Sequence, residues 1–221
     1  MSDRRKAFTR LSCGVHSRLI FRRIIRCALF PGLLFAWTFY PFTLRAQKKL
    51  YDVFFMGSKV GSMTIERKRD GNVEYYHLTS WSEAGFLAMK RSNSVEMRST
   101  YKNGKLLSSF ARVITNGEVE AYASAVWDGQ RYQVQTDKEK FTVDEQADFS
   151  VVKFYFEEPH TPRIFTERIG RFVPLYSPRP GVYQYRLPSG DLNIYTYLNG
   201  ELQDVTVKRS LGTAQIKPAT N

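Results

Sequence analysis

The chain has very little cysteine: there are two in 221 residues, and both, Cys13 and Cys27, lie within the first 46. Residues 47–221 therefore have no thiol to form a disulfide, bind a metal or act as a nucleophile. Small secreted eukaryotic domains usually depend on disulfides, so an exported domain without cysteine is typical of a bacterial envelope. This part of the chain, 175 residues, is long enough to bury a core without cross-links.

Catalytic motifs are also lacking. The sequence contains no GxSxG elbow, no HExxH pair, no GxxxxGK[ST] phosphate loop and no GxGxxG fingerprint. Beyond residue 46, histidine occurs only at His77, in an alternating run, and at His160, which follows two glutamates. We expect His77 to be structural or on the surface, and His160 to lie in a solvated turn rather than a metal site. The sequence predicts no enzyme, no cofactor and no metal.

Acidic residues are scarce at the N-terminus. The whole chain carries a net charge of +12, from 33 Lys and Arg against 21 Asp and Glu. Residues 1–46 hold nine basic residues and one acidic residue, a net +8, which leaves +4 for residues 47–221. Such a small excess does not indicate a nucleic-acid partner, and we expect none.

The N-terminal segment has the order of a secretory signal. A basic stretch is followed by 18 uncharged residues, Cys27 to Leu44, and then by the small residue Ala46. We predict a signal peptide over residues 1–46, cleaved after Ala46, and a single β-rich domain over 47–221. The protein would then be periplasmic or secreted, and only the signal would contact the membrane. The alternative is an uncleaved anchor, since a run of this length suffices to span a bilayer.

Turn signals divide the rest of the chain into strand-sized pieces. Asn103-Gly104, Asn116-Gly117 and Asp128-Gly129 are spaced 13 and 12 residues apart, which is one strand plus one turn. Asn-Gly and Asp-Gly favour tight hairpin turns because both central residues need φ > 0. Between the turns, apolar and polar residues alternate, as in an antiparallel sheet with one wet face. A change of alternation near residue 61 predicts a β-bulge at Gly61.

One segment departs from the alternation. Phe149, Val152 and Phe156 follow helical spacing, which predicts a short helix near 148–157 with Asp148 or Ser150 as its cap. The β-branched and aromatic content of this segment leaves a strand as the alternative.

These signals together predict a mostly β fold. We expect a single curved antiparallel meander sheet of about ten strands, a half-barrel or open barrel, because a sheet this large must curl or close. The one short helix near 148–157 would separate a long N-terminal meander from a shorter C-terminal one.

Four segments, 51–61, 103–104, 154–159 and 183–200, carry a resemblance to known proteins that covers most of residues 48–217. In these segments the sequence resembles a family of exported bacterial β-proteins known only as a domain of unknown function. These are turns and strands, so they bring no catalytic residue with them. More loosely, a curved sheet with a helix resembles the LolA-like lipoprotein carriers, whose half-barrel holds acyl chains; this likeness concerns the fold alone.

The leading interpretation is a binding or carrier module for an apolar or amphipathic ligand, such as a lipid. It predicts a concave apolar cavity lined by residues such as Phe110, Ala123, Tyr185 and Tyr195, since tyrosine combines an apolar ring with a polar tip. The alternative is a structural or interaction component of the cell envelope with a protein partner. A hydrolase without a recognisable motif ranks third, and it needs His77 or His160 to meet carboxylates in a cleft.

Arginines are frequent between residues 163 and 186, where five of them are accompanied by a single acid, Glu167. This run could contact an anion such as a lipid head group or a polysaccharide. A solvated, charge-paired surface is the more common meaning of such a run.

Overall fold

The structure, a computed structural model, describes residues 45–86, 89–210 and 212–220. The described residues form fifteen β-strands and one 3-10 turn, Val151–Tyr155. The first eight strands are β1 (Arg45–Phe55), β2 (Ser58–Asp70), β3 (Val73–Phe86), β4 (Met89–Lys102), β5 (Lys105–Thr115), β6 (Glu118–Trp127), β7 (Tyr132–Thr136) and β8 (Lys140–Val143). The others are β9 (Arg163–Thr166), β10 (Arg171–Pro174), β11 (Tyr176–Arg179), β12 (Val182–Arg186), β13 (Leu192–Leu198), β14 (Glu201–Arg209) and β15 (Gly212–Pro218).

Thirteen of these strands form one antiparallel sheet, in the order β11-β12-β13-β14-β15-β1-β2-β3-β4-β5-β6-β7-β8. The sheet is not closed, and β8 and β11 lie at its edges, while β9 and β10 pair as a separate hairpin. The predicted meander is confirmed, with more strands than the turn signals indicated. The two predicted meanders are joined by the pairing of the last strand, β15, with β1.

The hairpin turns form where Asn-Gly pairs occur. Asn103 and Gly104 have φ of 53° and 75°, and Asn199 and Gly200 have φ of 53° and 78°. Both central residues are left-handed, as a type I′ turn requires, and Asn and Gly adopt that conformation at the lowest cost. Local turn chemistry therefore accounts for the register of these hairpins.

The predicted bulge lies at the expected place. Gly61 pairs with Val53 and Lys59 pairs with Phe54, so Val60 is the extra residue. At Gly61 the backbone of β3 comes so close that a Cβ would lie 2.0 Å from the Trp81 carbonyl oxygen. Glycine is required here by close approach rather than by backbone angle.

The predicted helix is shorter and tighter than expected. A 3-10 turn of five residues, Val151–Tyr155, occupies part of 148–157, and no α-helix is present in the described ranges. Ser150 is the N-cap residue, but its side chain makes no cap hydrogen bond. All five residues of the turn are buried, so packing rather than helix propensity holds the segment in place.

The core lies between the concave inner face of the sheet and the 3-10 turn. Alternate side chains of the strands are buried there, for example Met63 and Ile65 in β2 and Tyr76 and Leu78 in β3. Within the described part of the chain, no helix has the length and apolar character needed to cross a membrane.

The predicted signal peptide lies almost entirely outside the described residues. Ala46 is described, and it pairs with Lys68 near the start of β1. Cleavage after Ala46 stays a prediction.

Candidate ligand-binding cavity

An apolar cavity of about 120 Å³ lies on the inner face of the sheet. Nine strands, β2 to β5, β9 and β12 to β15, contribute to its wall together with the 3-10 turn. Since β4 and β13 both line it with five strands between them, the sheet must curve strongly around this space. Its apolar lining includes Met63, Leu78, Met97, Val113, Val207 and Ile216.

One side of the cavity is charged. Arg168 and Arg209 line it, and both face the same carboxylate oxygen of Asp191: Arg168 Nη1 at 3.3 Å and Arg209 Nε at 3.6 Å. The Arg209 side chain is 37% exposed, so this side of the cavity reaches solvent. Burial, and then the neighbouring Arg168 guanidinium, lower the pKa of Arg209. The Asp191 carboxylate thus pairs with two guanidinium groups at a position where burial partly removes water.

A second polar group lies in the same wall. The side-chain amide nitrogen of Asn193 is buried and has no hydrogen-bond partner among the described residues. Asn193 pairs with Val207, and Arg209 follows two positions later in β14, on the same face of the sheet. A buried donor without an acceptor is costly, so this amide is a strained feature of the cavity wall.

The aromatic part of the wall lies directly beside these polar groups, since Tyr185 pairs with Asn193. The Phe154 ring stacks on Tyr195 at 4.2 Å between centroids, and Tyr195 lies 6.1 Å from Tyr185 in a second stacked pair. Burial raises the pKa of Tyr185 well above its ordinary value, so its hydroxyl stays protonated. Tyr185 and Tyr195 line the cavity, whereas Phe154 does not.

The four predicted ligand residues separate into three places. Tyr185 and Tyr195 line the cavity, as expected. Ala123 is fully buried on the inner face, paired with Ala111, but it does not line the cavity. Phe110 lies on the outer face, where its ring is 5.7 Å from that of Tyr122.

A bulge explains the position of Phe110. Tyr101 pairs with Leu106 and Thr100 pairs with Ser108, so Leu107 is an extra residue in β5. The extra residue reverses the alternation, and Phe110 then points away from the inner face that Leu106 shares. Strand periodicity alone does not reveal this reversal.

Two members of the arginine run between 163 and 186 are paired with acids away from the cavity. Arg163 bonds to Glu145, and Arg171 Nη2 lies 2.8 Å from Glu139 Oε1. Arg168 is the member of the run that lines the cavity. Arg209 lies outside the run, in β14, and also lines the cavity. No pattern in the sequence indicates that Arg168 is the member of the run that lines the cavity, or that Arg209 lies beside it.

A buried carboxyl lies next to the cavity. Glu167 is fully buried and accepts hydrogen bonds from Ser99 Oγ at 2.9 Å, from the Val151 N–H at 3.1 Å, from the Val152 N–H at 3.4 Å and from the Ser150 hydroxyl. Burial raises the pKa of Glu167. This side chain ties β4 to the start of the 3-10 turn, a role that no sequence pattern marks.

The histidines do not form a site with the inner cavity. His77 is exposed, and its Nε2 lies 3.2 Å from Glu96 Oε1, a carboxylate that also pairs with Arg98 and Arg112. His160 is exposed in a loop. Over the residues that the structure describes, no group of three or more His, Cys, Asp or Glu is placed to hold a metal ion.

Comparison with known proteins gives one match. The model of a family described as a domain of unknown function, DUF6134, matches residues 51–219. No curated protein and no solved structure matches the chain.

Proposed function

The chain belongs to the family of the domain of unknown function DUF6134, and on this premise we propose that it is a binding or carrier module for an apolar or amphipathic ligand. The membership confirms the family resemblance at this level. Export and a LolA-like carrier role are part of the proposal.

The observation that carries the proposal is the cavity enclosed by the curved sheet. Its walls are largely aliphatic and aromatic, and its few polar residues include Arg168, Asn193 and Arg209. An apolar pocket with a small number of placed polar groups is the usual form of a small-molecule site.

Cavity size limits the ligand. An apolar cavity of roughly 150 Å³ admits benzene, and the present one is about 120 Å³. It therefore takes one narrow apolar segment, such as part of a single acyl chain, more readily than a bulky lipid.

Ligand occupancy is tested by filling the cavity. We expect Val207→Trp to abolish binding of a small apolar probe, because Val207 is partly buried in the cavity wall. The matched control is Val126→Trp, on the outer face of β6, where the side chain is 55% exposed. Binding is measured by isothermal titration calorimetry, and native mass spectrometry of the purified protein reports any ligand that co-purifies. Equal binding by the two variants, or no binding by the unaltered chain, would contradict the proposal.

Export is tested separately. A protein expressed with its full N-terminus in a bacterial host should appear in the periplasmic or secreted fraction with Gln47 as its first residue, as read by intact-mass measurement. A chain that retains residues 1–46 in the membrane fraction would support the anchor instead.

The alternative, an envelope interaction protein, predicts a continuous exposed apolar patch. The exposed Tyr75 and Trp81 lie on the outer face of β3. At roughly 3.3 Å per residue their positions are about 20 Å apart, so the two do not make one patch along this strand. The cavity is the feature that favours ligand binding.

A further inference from the structure

The geometry points to an anionic head group on the ligand: we infer that the cavity takes the head-group end of a single-chain amphiphile, whose carboxylate is bound by Arg168, Arg209 and the Asn193 amide. This inference rests on the proposed function and names the ligand class of the same site.

The polar side of the cavity is rich in donors. Two guanidinium groups share the single carboxylate of Asp191, at 3.3 and 3.6 Å. Arginine carries five N–H donors and stays charged, so one carboxylate leaves most of these donors available. A second carboxylate, from a ligand, would match their geometry with paired charge-assisted bonds.

Neighbouring charged residues do not cancel the excess positive charge that Arg168 and Arg209 leave beside Asp191. Arg91 pairs with Glu120 at 3.6 Å, and Glu120 also accepts a hydrogen bond from Thr115. The five charged groups around this end, Arg91, Arg168, Arg209, Glu120 and Asp191, therefore sum to one positive charge. Burial lowers the pKa of Arg209, and the neighbouring Arg168 guanidinium adds to this effect.

Asn193 gives an independent indication. It is 8% exposed, it lines the cavity, and its amide nitrogen lacks an acceptor among the described residues. A carboxylate placed against Arg209 would supply one, since the two residues lie on adjacent strands of the same face. A neutral hydrocarbon would leave this donor unpaired, and a cation would meet two arginines.

The test compares ligands that share one chain and differ in the head group. Decanoate, decan-1-ol and decyltrimethylammonium, each below its aggregation limit, are titrated into the purified full chain by calorimetry. We expect decanoate to bind at least about tenfold more tightly than the alcohol, and the cation not to bind.

Variants then assign the preference to residues. Arg209→Met should weaken decanoate binding by about tenfold to a hundredfold, the usual effect of removing a charged hydrogen-bond partner. Asp191 keeps its pairing with Arg168 in this variant, and binding of the alcohol, which should stay unchanged, shows that the cavity is intact. Asn193→Leu should also weaken decanoate binding. Arg209→Lys should keep part of the preference for decanoate over decan-1-ol. The control is Arg112→Met, since Arg112 lies on the outer face of β5.

The outcomes distinguish a failure of the head-group inference from a failure of the proposed function. Equal binding of decanoate and decan-1-ol would overturn the head-group inference and leave the proposed function standing. Binding of neither would overturn the proposed function itself. Binding of acetate as tight as that of decanoate would show a site for a free anion and would overturn the amphiphile.

Discussion

At the scale of single residues, Glu167 is the most consequential polar side chain in the interior. It is fully buried, yet two hydroxyls and two backbone N–H groups donate to it. Tyr101 extends this network by donating to Ser150 Oγ at 2.6 Å. A buried carboxyl with this many donors orders its surroundings, because each donor would be unsatisfied without it.

We expect Glu167→Gln to lower the free energy of unfolding by about 1–3 kcal/mol in mild acid, since an amide nitrogen would replace an oxygen that accepts hydrogen bonds. Urea unfolding of the two proteins measures this. The control is Glu145→Gln, whose side chain is 50% exposed and whose effect should stay within about 0.5 kcal/mol.

The same residue predicts a pH dependence. Burial places the folded-state pKa of Glu167 above its ordinary value of 4.5, so the folded protein holds the proton more tightly. The resulting stabilisation is fully present below the unfolded-state pKa and is lost as pH rises through the folded-state pKa. The stability difference between the unaltered chain and Glu167→Gln should therefore shrink as pH rises. A constant or growing difference would show that the pKa is not raised.

At the scale of elements, two bulges decide which side chains face the cavity. The bulge at Val60 is predictable from the sequence, because Gly61 and a change in the alternation of apolar and polar residues both indicate it. The bulge at Leu107 has no glycine beside it, and it places Phe110 on the outer face. The 3-10 turn was anticipated in position but not in type, because its conformation depends on the side chains packed around it.

A substitution at Gly61 tests whether the close approach of β3 requires glycine at this position. We expect Gly61→Ala to cost about 1–3 kcal/mol of stability, because the new Cβ would overlap the backbone of β3. Gly85→Ala is the matched control in β3: nothing lies within 4 Å of its Cβ position. Thermal unfolding followed by circular dichroism compares the two, and an equal loss in both would show that intrinsic strand preference, not close approach, is the cause.

At the scale of the whole molecule, β15 holds the sheet together. It pairs with β14 on one side and with β1 on the other, so the N-terminal and C-terminal meanders meet through it. The cavity needs both meanders, since its lining comes from β2–β5 on one side and β12–β15 on the other.

We expect deletion of residues 212–221 to abolish cooperative unfolding, a loss comparable with the whole stability of a domain, roughly 5–15 kcal/mol. The deletion exposes β1 and β14 as new edges, which favours aggregation. Circular dichroism and light scattering measure both effects. Deletion of residues 219–221 alone, beyond the end of β15, should leave the cooperative transition in place, and its loss there would contradict this account.

The sequence by itself determined the fold class, the hairpin turns, the meander order within each half and the bulge at Gly61. These features depend on near neighbours along the chain, where Asn-Gly conformation and the two-residue strand period act directly. The tertiary structure alone decided that β1 pairs with β15, that Phe110 faces outward, and that Arg168 and Arg209 meet at Asp191 beside the Asn193 amide. These outcomes depend on pairings between distant segments and on an unmarked bulge, and no local preference records which distant partner a strand will find.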